Sequence, residues 1–194
     1  MLFGDRARSE LATAVRAPAG AALGEVFSFL SGLYFRGKLH YATAFARPPR
    51  PLPGVLVITA TDGLRPPQSR VTLDVLRGWA DVPIDAAEPR YAAPLRRDLE
   101  TLVRRLDPHP ETEVVLLGSV ASDKYAAVLA PLLGDRLLFP SDFVGRGDMS
   151  RGGLLLRCTR EVRELAYVPL AGTVRRGTRP LRLDGRPSSS PRRR

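Results

Sequence analysis

Three short apolar runs, at residues 55–60, 113–118 and 136–140, are set apart by stretches with helical spacing, and this alternation restricts the fold more than any other feature. Runs of Val, Leu and Ile with no polar interruption read as strands buried on both faces. Between the first two, residues 91–106 place Leu95, Leu99, Leu102, Val103 and Leu106 on one helical face and Arg96, Arg97, Glu100 and Arg104 elsewhere. Residues 123–133 predict a second helix between the second and third runs, with Ser122 as its N-cap and Gly134 ending it. Strands alternating with helices predict an α/β fold in three layers: a mostly parallel central sheet with helices on both faces. Strands 55–60 and 114–118 are then expected to be adjacent or nearly so in that sheet. Upstream, residues 8–16, 21–31 and 33–45 predict helices, the last carrying Lys38. The Pro-rich run at 47–54 excludes helix or central strand. Residues 71–79 predict a short helix ending in a packed Trp79, residues 152–164 a late helix, and residues 165–170 an edge strand.

The organisation that follows is an N-terminal helical extension (1–19), an α/β domain (20–172) and a basic tail rich in Arg, Pro and Ser (173–194). The 194-residue chain carries a net charge of +10. Residues 174–194 hold eight arginines and a single acid, Asp184, so the tail accounts for +7 and the body for +3. A strip of this kind can bind phosphates by releasing counterions. The plainer expectation is a solvated, disordered terminus, because no aromatic residue follows Tyr167 to stack bases.

Composition excludes several chemistries. The single cysteine, Cys158, leaves no intramolecular disulfide and no Cys-based zinc cage. Two histidines, His40 and His109, do not make a His-rich metal site, and no metal or cofactor is expected. No apolar run reaches the ~20 residues that span a bilayer, and no secretory leader is read at the N-terminus, so a cytoplasmic protein without membrane partners is expected. Only two of the 30 basic residues are lysines, Lys38 and Lys124. Against such a background of arginine a lysine is the more informative residue, since it can give up its proton when buried. Each lysine also lies close to a tyrosine in sequence, Tyr41 and Tyr125.

In parallel sheets ligands bind beyond the carboxyl ends of the strands. Those ends are Thr61-Asp62-Gly63, Gly118-Ser119 and Ser141-Asp142. Asp62 is the candidate acid or base; the alternative is an ordinary Asp-Gly turn. Gly118, Ser119, Lys124 and Tyr125 form a strand-to-helix crossover able to bind a ligand through Ser119, Lys124 and the helix amides; the alternative is capping, with Lys124 exposed. Residues 141–153 read as a Gly-rich polar loop in which Arg146 and Arg151 can grip phosphate and Gly152 lets a ligand approach. The alternative is a turn whose arginines pair with Asp142 and Asp148. The loop lacks the order of a Walker motif. Ser119 has no nucleophile elbow around it.

Leu33-Tyr34-Phe35-Arg36 through Tyr41-Ala42, then Ile58 to Pro66, Leu117-Gly118 with Lys124-Tyr125, and Phe139-Pro140 before the Gly-rich loop form an ordered series. The series resembles a group of small bacterial α/β proteins of unknown function. These are similar in turn to the uracil-DNA-glycosylase-like domain of archaeosine synthase and related tRNA-modifying proteins. Ala60-Thr61-Asp62-Gly63 stands where the glycosylases carry their Gln-Asp-Pro-Tyr run. What the resemblance implies is therefore a fold and a nucleoside-related neighbourhood rather than uracil excision. The leading expectation is a nucleotide- or nucleic-acid-directed protein, such as a base-modifying or glycosidic-bond enzyme. In it Asp62 and Lys124 are catalytic candidates, and Lys38, Gly118, Ser119, Tyr125, Arg146, Arg151 and Gly152 bind ligand. The alternative is a non-catalytic interaction module that binds anionic partners through its Arg-rich tail.

Overall fold

A computed structural model of the chain describes residues 9–120, 123–173 and 177. In chain order its elements are α1 (Glu10–Arg16), β1 (Ala21–Ala22), α2 (Leu23–Leu30), α3 (Gly32–Phe45), β2 (Val57–Ile58), β3 (Leu64–Arg65), β4 (Arg70–Val71), α4 (Leu73–Ala80), α5 (Pro89–Leu106), β5 (Val114–Val115), α6 (Asp123–Leu133), β6 (Leu137–Pro140), α7 (Asp148–Arg160) and β7 (Tyr167–Pro169). The expected helices are all present. Ser9 Oγ caps α1 by accepting from Ala12 N–H, and Gly32, at φ 56°, separates α2 from α3. On α5 the buried face is Tyr91, Ala92, Leu95, Leu99 and Leu106, while Leu102 and Val103 are half-buried. Trp79 is buried at the end of α4, edge-on to Phe27. The expected cap Ser122 and nearly all of the basic tail lie outside the described residues.

The molecule is mixed α/β, but the large, mostly parallel sheet expected from the sequence does not appear among the described residues. Strand pairing is confined to one three-stranded sheet, β5-β6-β7, and two antiparallel pairs, β1-β4 and β2-β3. Only β5 and β6 run parallel; β7 joins the other edge of β6 antiparallel. Strands 55–60 and 114–118 are not ladder neighbours. The reason lies in the Asp62-Gly63 turn. Gly63, at φ 64°, reverses the chain at once, and Thr59 N–H and Oγ1 both donate to the Gly63 carbonyl, at 2.9 and 3.0 Å. The run therefore folds back on itself as a hairpin, with Val57 opposite Arg65 and Ile58 opposite Leu64.

A second difference concerns the Gly-rich segment. α7 begins at Asp148, four residues before the expected start, so Arg151 and Gly152 belong to a helix and the loop ends at Gly147. This helix crosses α3 at very close range. A Cβ on Gly37 would sit 2.7 Å from the Gly152 carbonyl oxygen, and one on Gly152 would sit 2.8 Å from the Tyr34 Cα. Glycine at both positions is what lets the two backbones meet. Farther along α3, the Tyr41 hydroxyl accepts from Leu165 N–H at 2.7 Å and lies 2.7 Å from the Tyr167 hydroxyl, which fastens α3 to β7. No helix among the described residues is long and apolar enough to cross a membrane.

Candidate functional site

The α3–α7 crossing sets three cations and two tyrosines beside the carboxyl end of β5. Tyr34 and Lys38 lie one turn apart on α3, as (i, i+4) neighbours do. The Tyr34 hydroxyl donates to the Leu117 carbonyl at 3.0 Å, which docks α3 just past β5. The Lys38 ammonium lies 4.5 Å from the centre of the Tyr34 ring and 5.3 Å from that of Phe35. On α6, Lys124 Nζ lies 5.0 Å from the centre of the Tyr125 ring. Gly118 makes room for that ring: a Cβ there would come within 3.1 Å of Tyr125. Tyr91 of α5 donates to the Lys124 carbonyl and fixes the start of α6.

Charge couples these groups. Burial brings the Lys38 amine down to about 8, and the fields of Lys124 and Arg151 add to that effect while Asp148 opposes it. Of the charged groups acting on Lys38, two are thus cations and one a carboxylate. Burial also pushes the Tyr34 hydroxyl up to about 12, against the field and a hydrogen-bonding contact of Arg151. Tyr125 is raised first by burial and then by Asp148. The Asp148 side chain is 67% exposed and stands 3.6 Å from the Arg151 guanidinium. It is therefore an accessible carboxylate at the mouth of a cationic cluster.

Arg151 has a different task from the one its sequence context predicts. Its side chain is 5% exposed, and Nε and Nη2 both donate to the Phe143 carbonyl, at 3.3 and 3.1 Å. The guanidinium fork grips the protein's own main chain and supplies the site with a fixed field, while its pairing with Asp148 matches the alternative reading of that segment. Arg146 ties its loop to the first turn of α7, donating to the Asp142 carbonyl at 2.9 Å and to Ser150 Oγ at 3.4 Å. Gly152 serves the helix crossing. Ser119 is half-buried just past β5.

Asp62 belongs to another neighbourhood. Its N–H donates to Thr59 Oγ1, its carboxylate accepts from Thr61 Oγ1, and the adjacent Leu64 N–H donates to Asp98 of α5. This is the Asp-Gly turn of the alternative reading. The Lys38–Tyr41 proximity in sequence also dissolves, since Lys38 lies over Tyr34 and Tyr41 faces β7. Two members of the cluster, Tyr34 and Asp148, were not candidates from sequence. Tyr34 could have been found from its (i, i+4) spacing to Lys38. Asp148 could have been found as an acid suited to a helix first turn, (i, i+3) from Arg151.

Elsewhere, His40 is exposed and His109 lies 4.0 Å from Glu111 in a loop. Cys158 is buried, and burial raises its thiol. Among the described residues no group of three or more His, Cys, Asp or Glu is placed to hold a metal ion. Compared with known proteins, the chain has no significant match to a family model, a curated protein or a solved structure.

Proposed function

We propose that the cluster of Lys38, Lys124, Arg151, Tyr34, Tyr125 and Asp148 is the binding site for a phosphate-bearing ligand, and that the protein is directed at nucleotides or nucleic acid. One observation carries this reading. The chain's two lysines, far apart in sequence, come to the same strand end: Lys38 lies over Tyr34, which is docked on the Leu117 carbonyl, and Lys124 lies over Tyr125, which packs against Gly118. Bringing like charges together costs free energy that grows as water is excluded, and an anion between them repays it. Lys38 and Lys124 contact the anion, while the buried Arg151 holds the field and the segment around Phe143 in place. The Tyr34 and Tyr125 rings offer flat faces that suit a base over a bare phosphate. If the protein transforms its ligand, Asp148 is the carboxylate best placed for acid–base work, in the role expected of Asp62. The resemblance to glycosylase-like domains supports a base-modifying or glycosidic-bond reaction. The same reading lets the β2–β3 hairpin flank the β5-β6-β7 sheet as part of a reduced three-layer core.

A thermal-shift panel of nucleosides, nucleotides, modified bases and short nucleic acids tests the proposal through linkage. Nucleotides should raise the unfolding midpoint where the matching nucleosides do not, and Lys124→Met should remove the rise. A panel without any stabilising phosphate compound would overturn it.

A further inference from the structure

We infer that Lys38 is a reactive amine that forms an imine with the aldehyde or ketone carbonyl of a phosphorylated ligand, a reading that rests on the phosphate site proposed above. The first ground is residue choice. Arginine supplies 28 of the 30 basic side chains, and at Arg151 it supplies the fixed charge of this same cluster. A guanidinium stays protonated in proteins, whereas an amine can lose its proton and attack carbon. Charge alone therefore needs no lysine, yet both lysines of the chain converge here. The second ground is placement. Lys38 is half-buried against the faces of Tyr34 and Phe35, and the contact of Gly37 with Gly152 sets its turn of α3 against the turn of α7 that carries Arg151. Desolvation beside other cations is the arrangement that frees a lysine amine for nucleophilic work. Its lowering to about 8 agrees with that geometry.

The step balances without an added reagent. The lone pair of neutral Lys38 Nζ attacks the carbonyl carbon, and the C=O π pair moves to oxygen. Both amine protons leave with that oxygen as water, and a C=N bond remains. Lys124 holds the ligand's phosphate, and Asp148, exposed and 3.6 Å from the Arg151 guanidinium, passes protons between the intermediate and solvent.

The chain makes the test clean, since its side-chain amines are only Lys38 and Lys124. The full chain is incubated with glyceraldehyde 3-phosphate or with glyceraldehyde, reduced with borohydride, digested and mapped by mass. Borohydride gives hydride to the imine carbon and solvent gives the proton to nitrogen, which fixes the adduct. Lys38 should be labelled at least about tenfold faster than Lys124, because it is the amine partly withdrawn from water against the Tyr34 and Phe35 rings. The phosphorylated aldehyde should label it faster than glyceraldehyde, and pyrophosphate should slow the labelling. Lys38→Arg should abolish the adduct without moving it to Lys124. Equal labelling of the two lysines, or equal rates for the two aldehydes, would overturn the inference. If pyrophosphate stabilises the unmodified chain but no Lys38 adduct forms, the imine fails and the phosphate site stands. If pyrophosphate neither stabilises the chain nor slows labelling, the phosphate site itself fails.

Discussion

The β2–β3 hairpin and the α3–α7 crossing both collect polar side chains, but they handle them in opposite ways. In the hairpin, Thr59, Thr61, Asp62 and Asp98 satisfy one another and the main chain within a few residues of the turn or across to α5. At the crossing, Lys38, Lys124 and Arg151 come from three helices, and Asp148 is the carboxylate that acts against them on Lys38. A closed local network explains itself as folding. An excess of one charge, assembled over long chain distances and partly withdrawn from water, is the feature on which the proposed anion site rests.

The contrast can be broken most severely at the crossing itself. Gly152→Val drives a side chain into the α3 backbone at Tyr34 and Leu33, and should destabilise the fold by about 3 kcal/mol in denaturant unfolding. Gly153, its neighbour on the same helix, has nothing within 4 Å of a would-be Cβ. Gly153→Ala should therefore stabilise by about 0.5–1 kcal/mol through helix propensity.

Arg151→Met comes next. It leaves the Phe143 carbonyl with the Arg146 N–H as its remaining donor, and a loss of about 1–1.5 kcal/mol in denaturant unfolding is expected. Arg146→Ala, which removes donors from an exposed loop carbonyl, should cost less than about 1 kcal/mol.

These residues also show how much could be read from the sequence. The helices were legible because their apolar spacing acts locally. The parallel pairing of β5 with β6 and the edge position of β7 were likewise accessible from short apolar runs. The central sheet was misjudged because the run at 55–60 carries two signals. Its apolar continuity favours a buried parallel strand, while Asp62-Gly63 favours an immediate reversal. The turn prevailed because Thr59 satisfies its donors on Gly63 without any partner strand. Of the candidate residues, Gly118, Lys124 and Tyr125 lie together just past β5, and Lys38 is carried to the same strand end by Tyr34. The role of Gly152 was hidden, since a glycine that admits a ligand and one that admits a helix look alike in sequence. Arg151 lies on a helix and not in a loop because α7 starts at Asp148, and a Gly-rich segment does not announce that start.

Lys38 offers a milder test with a defined sign. Its folded-state value near 8 lies below the ordinary 10.5, so the unfolded chain binds more protons between those values. Stability should rise with pH from about 8 to 10.5 and carry a penalty below that window. Lys38→Met should accordingly raise stability near pH 7 by about 1–2 kcal/mol and flatten that rise, as followed by thermal melts across pH. A variant less stable than the parent at pH 7, with the pH dependence intact, would show the amine to be favourably paired.

The smallest effect belongs to the hairpin. Asp62→Ala removes one part-buried hydrogen bond from Thr61 and should cost only about 0.5–1 kcal/mol, with ligand-induced shifts in midpoint unchanged. Loss of ligand stabilisation in this variant would move the site to the hairpin.

The excess of positive charge at the crossing is tested most directly by titrating pyrophosphate at constant ionic strength and following the unfolding midpoint. The unmodified chain should gain stability in proportion to the logarithm of pyrophosphate once the site fills, and the Lys38→Met, Lys124→Met double variant should not. An equal rise in both proteins, or no rise in the unmodified chain, would contradict the assignment of this cluster as an anion site.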